Sequence, residues 1–237
     1  MVVVGIIMAA TIGLLFVFSE HALQSDEIAA ARQNADMVCS IMEKPLLHAG
    51  LGMPIASSDF SAAFSGCEAS AWRSPVTLPN SGRELRFLYG IPAGQANALE
   101  IEVESGDSFT AVFSADPESR DFTADLDSVA STSNLKRWVL LPMYGFPLSV
   151  SSVQDKHSLM LTAPRSGTVS FFDELHLLRL MWLKVKDNDL YVYEGVKTNP
   201  TEGDFTKRVE GIVGTFFEWD RSEGVLTAWI LARGTNR

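Results

Sequence analysis

The stretch Met1-Val-Val-Val-Gly-Ile-Ile-Met-Ala-Ala-Thr-Ile-Gly-Leu-Leu-Phe-Val-Phe18, closed by Ser19, carries no charged side chain. As an α-helix rising about 1.5 Å per residue it reaches roughly 27–28 Å, against about 30 Å for the hydrocarbon of a bilayer. It lacks the positive start and the small-x-small cleavage pattern of a secretory signal. It therefore reads as a retained apolar anchor built on Val2, Val3, Val4, Ile6, Ile7, Ile12, Leu14, Leu15, Phe16, Val17 and Phe18. The competing reading is a buried core helix, but such a helix rarely occupies a terminus with no polar face. The flank that follows is acidic: Glu20, Asp26 and Glu27 precede Arg32, the first basic residue. Lys and Arg mark cytoplasmic flanks, so the bulk of the chain is expected outside the cytoplasm.

Working outward, the composition changes after Ser19 but the period does not. Ile28, Ala31, Ala35, Val38, Met42 and Leu46 are spaced 3, 4, 3, 4 and 4 apart, one apolar stripe of a helix. Glu20, Gln24, Glu27, Gln33, Asp36 and Glu43 fall mostly off it, and no Gly or Pro interrupts residues 14–44. The expectation is one continuous helix of about 45 residues, roughly 65–70 Å long. Residues 1–19 form its apolar half and residues 20–50 its amphipathic half, with the stripe facing a globular domain. Pro45 is expected to kink or end it, and the Gly50, Gly52, Pro54 cluster to stop it.

Residues 51–237 read as that domain. Residues 55–82, rich in Ser, Gly, Ala and Pro, look like an irregular connector. Strands are expected at 83–91, 98–104, 108–114, 137–143, 158–163, 175–186, 189–196, 209–219 and 225–233. Ser105-Gly106-Asp107 and Asp187-Asn188 are tight-turn signals, and Asp220 to Gly224 closes a last hairpin. In the strand before that hairpin, Val209, Gly211, Val213, Thr215 and Phe217 are assigned to one face, and Ile212, Phe216 and Glu218 to the other. Residues 116–134 read as a polar loop or short helix. The fold class is α+β: a long N-terminal helix packed on an antiparallel β-sheet domain.

With 237 residues, 46% apolar and 20% charged, the chain is long enough to bury a core. Its 29 acids against 19 bases give a net charge of −10, which argues against nucleic acid as a partner. No metalloprotease helix, nucleophile elbow, phosphate-cradling loop or Cys-x-x-Cys pair is present. The histidines His21, His48, His157 and His176 stand singly. No catalytic residue, cofactor or metal ligand is assigned. The acids Asp116/Glu118/Asp121, Asp187/Asp189 and Glu202/Asp204 have an affinity for calcium only in principle, and read as solvated turn acids. Phe216, Phe217, Trp219 and Trp229 read as core. Cys39 and Cys67 either bond to each other, closing a loop of about 28 residues, or remain two free thiols.

Three stretches together resemble the type IV pilins and the pseudopilins of type II secretion, specifically minor pilins of the PilW type. Met1–Phe18 is similar to the segment after the Phe-Thr-Leu-x-Glu start of a mature pilin. Arg32-Gln-Asn-Ala-Asp-Met-Val-Cys-Ser-Ile-Met-Glu-Lys-Pro-Leu-Leu-His-Ala-Gly50 resembles the close of the family's helix, matching at Ala49-Gly50 and departing at Lys44-Pro45. Arg208-Val-Glu-Gly-Ile-Val-Gly-Thr-Phe-Phe-Glu-Trp-Asp220, with Gly224-Val-Leu-Thr-Ala-Trp-Ile-Leu-Ala-Arg233, resembles the terminal strands, and Asp189-Leu-Tyr-Val-Tyr-Glu-Gly195 the strand before them. The resemblance covers residues 1–50 and 175–234. It implies a pilin-like fold and a non-enzymatic structural subunit of a pilus, priming assembly or lying near the tip. A secretion pseudopilin, or a single-pass anchored binding domain or enzyme, are the alternatives. It also implies other pilin or pseudopilin subunits as partners, a prepilin peptidase acting before Met1, and residence in the bacterial inner membrane with the domain in the periplasm or outside.

Overall fold

The computed structural model describes residues 2–114, 121–128, 133–220 and 223–234, and for residues 2–14 the backbone alone. The expected continuous helix is present as α1 (Val2–Leu47). At about 1.5 Å per residue it is roughly 69 Å long. Of the two outcomes expected at Pro45, a kink or an end, the end does not occur there: the helix runs two residues further, to Leu47. In the last turn a proline forfeits one hydrogen bond to Ile41, and the chain closes with tight bonds from the His48 amide to Pro45 O (3.2 Å) and the Ala49 amide to Leu46 O (3.1 Å). The Gly50 amide then donates to Leu88 O at 3.0 Å, tying the helix end to the sheet.

After α1 come α2 (Ser57–Ala63), β1 (Val76–Thr77), β2 (Leu85–Ala96), β3 (Ile101–Val103), β4 (Ser108–Val112), β5 (Trp138–Leu140), β6 (Leu148–Val153), β7 (Ser158–Thr162) and β8 (Gly167–Val169). They are followed by β9 (Glu174–Lys186), β10 (Asp189–Gly195), β11 (Lys207–Glu210), β12 (Ile212–Asp220) and β13 (Val225–Ala232). The fold is α+β with an antiparallel curled sheet. Its axis is β9. On one edge β9 pairs with β2 along most of its length, Leu85 opposite Leu183 and Pro92 opposite His176. On the other edge it pairs with β5 near its start and with β10 near its end. Beyond β5 the order continues β6, β7, β4, and beyond β10 lies β11. The β12–β13 hairpin and the β3–β8 pair are separate two-stranded sheets.

The β9–β10 hairpin stands as expected. Asp187 (φ 53°) and Asn188 (φ 64°) are both left-handed, the backbone of a type I′ turn, whose twist matches that of the strands it joins. The strands around β9 are buried on both faces. Phe87, Met181, Leu183, Leu190 and Val192 point to a core shared with Val38 and Met42 of α1 and with Ile212 and Phe217 of β12. Leu88, Leu178, Leu180 and Tyr193 point the other way, to Phe60, Phe64 and Cys67. This explains why β9 reads as a nearly unbroken apolar run rather than an alternating one.

Several expectations need correction. The 55–82 connector is not irregular: α2 and a 3₁₀ turn at Glu68–Trp72 cover the second face. Arg86 clamps it, with its guanidinium 4.0 Å from the Trp72 ring centre and 5.4 Å from that of Trp182. The strands flanking Ser105-Gly106-Asp107 do not pair with each other as a ladder: β3 pairs with β8, and β4 with β7. β6 and β8 were not anticipated, and the 137–143 strand shrinks to Trp138–Leu140. The 209–219 strand is broken at Gly211 (φ 74°), and a register shift between Ile212 and Gly214 puts Ile212 inward and Val213 outward. Of residues 116–134, Phe122–Asp125 form a 3₁₀ turn, while 116–120 and 129–132 lie outside the described residues.

Candidate functional site

Among the described residues, α1 is docked through its second half. Val38 is fully buried and Met42 nearly so, Ala31, Ala35 and Leu46 are half-buried, and Ile41 and Asn34 join them. The apolar stripe is therefore the docked face from Ala31 onward. Ile28, its expected first member, is 57% exposed, because the domain ends short of it. Gly234 marks that limit: a Cβ there would stand 2.6 Å from the Glu27 Cα, so the chain passes the helix with no room for a side chain.

N-terminal to this point the helix has no cover among the described residues. Residues 15–29 are all exposed. Leu15, Phe16, Val17 and Phe18 present 63, 71, 51 and 68% of their surface, and Leu23 65%. The side chains of Val2, Val3, Val4, Ile6, Ile7, Ile12 and Leu14 lie outside the described residues. Among the described residues no helix is long and apolar enough to cross a membrane.

A second exposed apolar surface is the outer face of the β12–β13 hairpin. Phe216 and Trp229 face each other across the strands with ring centres 5.4 Å apart and remain 47 and 49% exposed. Val213, Val225 and Leu231 are exposed on the same side. Phe217 is buried and Trp219 half-buried, so the expected aromatic core holds for these two and fails for Phe216 and Trp229. Adjacent strand residues point to opposite faces, so one of Phe216 and Phe217 must face out.

Several polar groups are tied into the scaffold. Asp173 accepts the amides of Met143 and Tyr144 at 3.1 Å each, and burial pushes its carboxyl above the ordinary range. Tyr89 donates to Glu194 at 2.6 Å, and Lys207 donates to the other Glu194 oxygen at 2.6 Å. Burial alone would raise Glu194, but these two bonds outweigh it and hold the carboxyl below its ordinary value. Asp189 is held by Arg208 and the Gly211 amide, Glu202 by Lys186 and Asp204 by Lys197. His176 is buried 3.4 Å from Glu174, with its ring centre 5.9 Å from that of His48.

Among the described residues no group of three or more His, Cys, Asp or Glu is placed to hold a metal ion. Cys39 is exposed on α1 and Cys67 is buried; both are free, and burial raises the Cys67 thiol. A groove of about 690 Å³ opens between the Asn80–Glu84 turn and the start of β12. It holds no nucleophile paired with a base. What the described geometry offers most plainly is exposed apolar surface, along α1 and on the β12–β13 hairpin. The chain matches no protein-family model, no curated protein and no solved structure.

Proposed function

We propose that the chain is a structural subunit that assembles through the uncovered half of α1, in the manner of a minor pilin. On this reading it primes a type IV pilus or lies near its tip, and it catalyses no reaction. The observation that carries it is the run of residues 15–29, exposed throughout on a helix whose continuation is docked. Burying a Leu, Val or Phe side chain is worth about 1.5–3 kcal/mol, so covering Leu15 to Phe18 alone is worth on the order of 10 kcal/mol. A helix with that incentive takes up lipid or other apolar helices as neighbours, and exchanging one for the other costs little.

In the membrane state the charge-free residues 1–18 sit in the inner membrane and the domain lies on the far side, consistent with the acidic flank at Glu20, Asp26 and Glu27. In the assembled state the same residues pack against their equivalents in other pilin-type subunits. The pseudopilin form of the reading rests on the same observation and the same physics. The test is deletion of residues 1–18. The expected product is a monomeric, β-rich domain that stays in solution and no longer enters filaments with its neighbours. Entry into filaments by the deleted chain would overturn the reading.

A further inference from the structure

The second uncovered surface carries an inference that does not rest on the helix. β13 runs Val225-Leu-Thr-Ala-Trp-Ile-Leu-Ala232, with no charge, no proline and no glycine. It pairs with β12 on one side and with no strand on the other among the described residues. The Arg233 amide donates to Gly211 O at 2.8 Å, across to the start of β12. Backbone groups alternate along a strand, so the odd-numbered residues of β13 turn their N–H and C=O toward β12. Those of Leu226, Ala228, Ile230 and Ala232 therefore turn away from β12. Natural edge strands are usually blunted by lysine, proline, a bulge or a cover. β13 carries no lysine or proline, and the irregularity of the hairpin, between Ile212 and Gly214, lies on β12. α1 packs against β13 and passes Gly234, leaving Leu226, Ile230 and Ala232 half-buried, while Val225, Thr227, Ala228 and Trp229 stay exposed.

The charges stand just beyond the two ends. Glu223 precedes the strand and Arg233 follows it; both are exposed, and neither has an ion-pair partner among the described residues. We propose that the edge of β13 pairs with β13 of a second copy of this chain, antiparallel, about a two-fold axis at Ala228. That register follows from the charges. Placing Glu223 of each copy opposite Arg233 of the other sets Ala228 against Ala228 and Leu226 against Ile230. These are the residues whose N–H and C=O groups turn away from β12, so the hydrogen-bonding phase and the charge pairing agree. On the outer face Val225 meets Leu231 and Thr227 meets Trp229, covering side chains that are 52, 64 and 49% exposed for Val225, Leu231 and Trp229. Alanine at the axis lets the backbones approach without a clash. The contact is isologous and consumes both edges, so it closes at two copies and does not propagate.

The test uses the full chain in detergent micelles, with self-association followed by sedimentation. Glu223→Arg and Arg233→Glu each replace two attractive end pairs with two repulsive ones. Each is expected to weaken the dimer at least about tenfold. The double reversal restores the end pairs and is expected to return the affinity to within about threefold of the starting chain. Ala228→Cys in a Cys39→Ser background places two thiols at the axis, where facing Cα atoms of a hydrogen-bonded pair lie about 5.5 Å apart, and oxidation is expected to cross-link the pair. A chain that stays monomeric, or a dimer indifferent to both single reversals and without the cross-link, overturns the proposal. The second result would assign the association to α1 instead.

Discussion

At the scale of the residue, Asp189 shows how a single carboxylate sets the course of the chain. One oxygen accepts from Arg208, with Nε at 2.9 Å, and the other takes the Gly211 amide at 3.1 Å. Gly211 is the point where β11 ends and β12 turns away. Asp189→Ala leaves the amide and the guanidinium unpaired and is expected to cost about 1–3 kcal/mol, measured by urea unfolding. A second residue-scale prediction concerns pH. The folded Glu194 carboxyl lies below its ordinary value, so its contribution is present in full above about pH 4.3 and is lost as pH falls through the lower folded value. Glu194→Gln is therefore expected to flatten the acid limb of the melting temperature against pH, and an unchanged limb would remove Glu194 from the account. Asp204, held at about 2 mainly by Lys197, keeps part of that limb in the variant. None of this is legible in the sequence. Asp187/Asp189 stand out there only as neighbouring acids, because the partners Arg208 and Gly211 arrive through strand register. The exposed Phe216 was half legible: alternation opposes it to Phe217, and aromatic content alone assigns both to the core.

At the scale of the element, the most legible parts are those whose signals are local. The β9–β10 hairpin is announced by apolar runs on both sides of Asp187-Asn188. Its turn makes a sharp prediction. Asn188→Val puts a β-branched residue at φ 64° and is expected to lose about 1–2 kcal/mol, whereas Asn188→Gly is expected to lose none. Equal losses from both would show that the side chain, and not the backbone, matters there. The docked stripe of α1 is legible for the same reason, since its period is that of one helix. Its limit at Ile28 is not, because it depends on where the domain ends. The connector is the clearest miss. Phe60 and Phe64 stand four apart, a helical spacing, but they are diluted by Ser, Ala and Gly and carry too little periodic signal to outweigh them. The pairing of β3 with β8 and of β4 with β7 is a long-range choice that the Ser105-Gly106-Asp107 turn cannot announce.

At the scale of the whole molecule, two things coexist: a domain whose central sheet is buried on both faces, and a rod that runs on past it, without cover among the described residues. The domain is self-sufficient, with α1 from Ala31 to Leu46, α2 and the β12–β13 hairpin supplying its outer layers. For the rod, we propose that its N-terminal half works inside an apolar surrounding. The division was readable from the charge-free residues 1–18; the extent of the bare helix, through residue 29, was not. The most direct measurement is the polarity felt by the helix. A thiol introduced by Phe16→Cys in a Cys39→Ser background, carrying a polarity-sensitive fluorophore, is read in the full chain bound to lipid vesicles and compared with the same dye at exposed position 40 through Ser40→Cys. The account predicts blue-shifted, hydrocarbon-like emission at position 16 and water-like emission at position 40. Water-like emission at both would contradict it, leaving α1 a solvated rod with no part in anchoring or assembly.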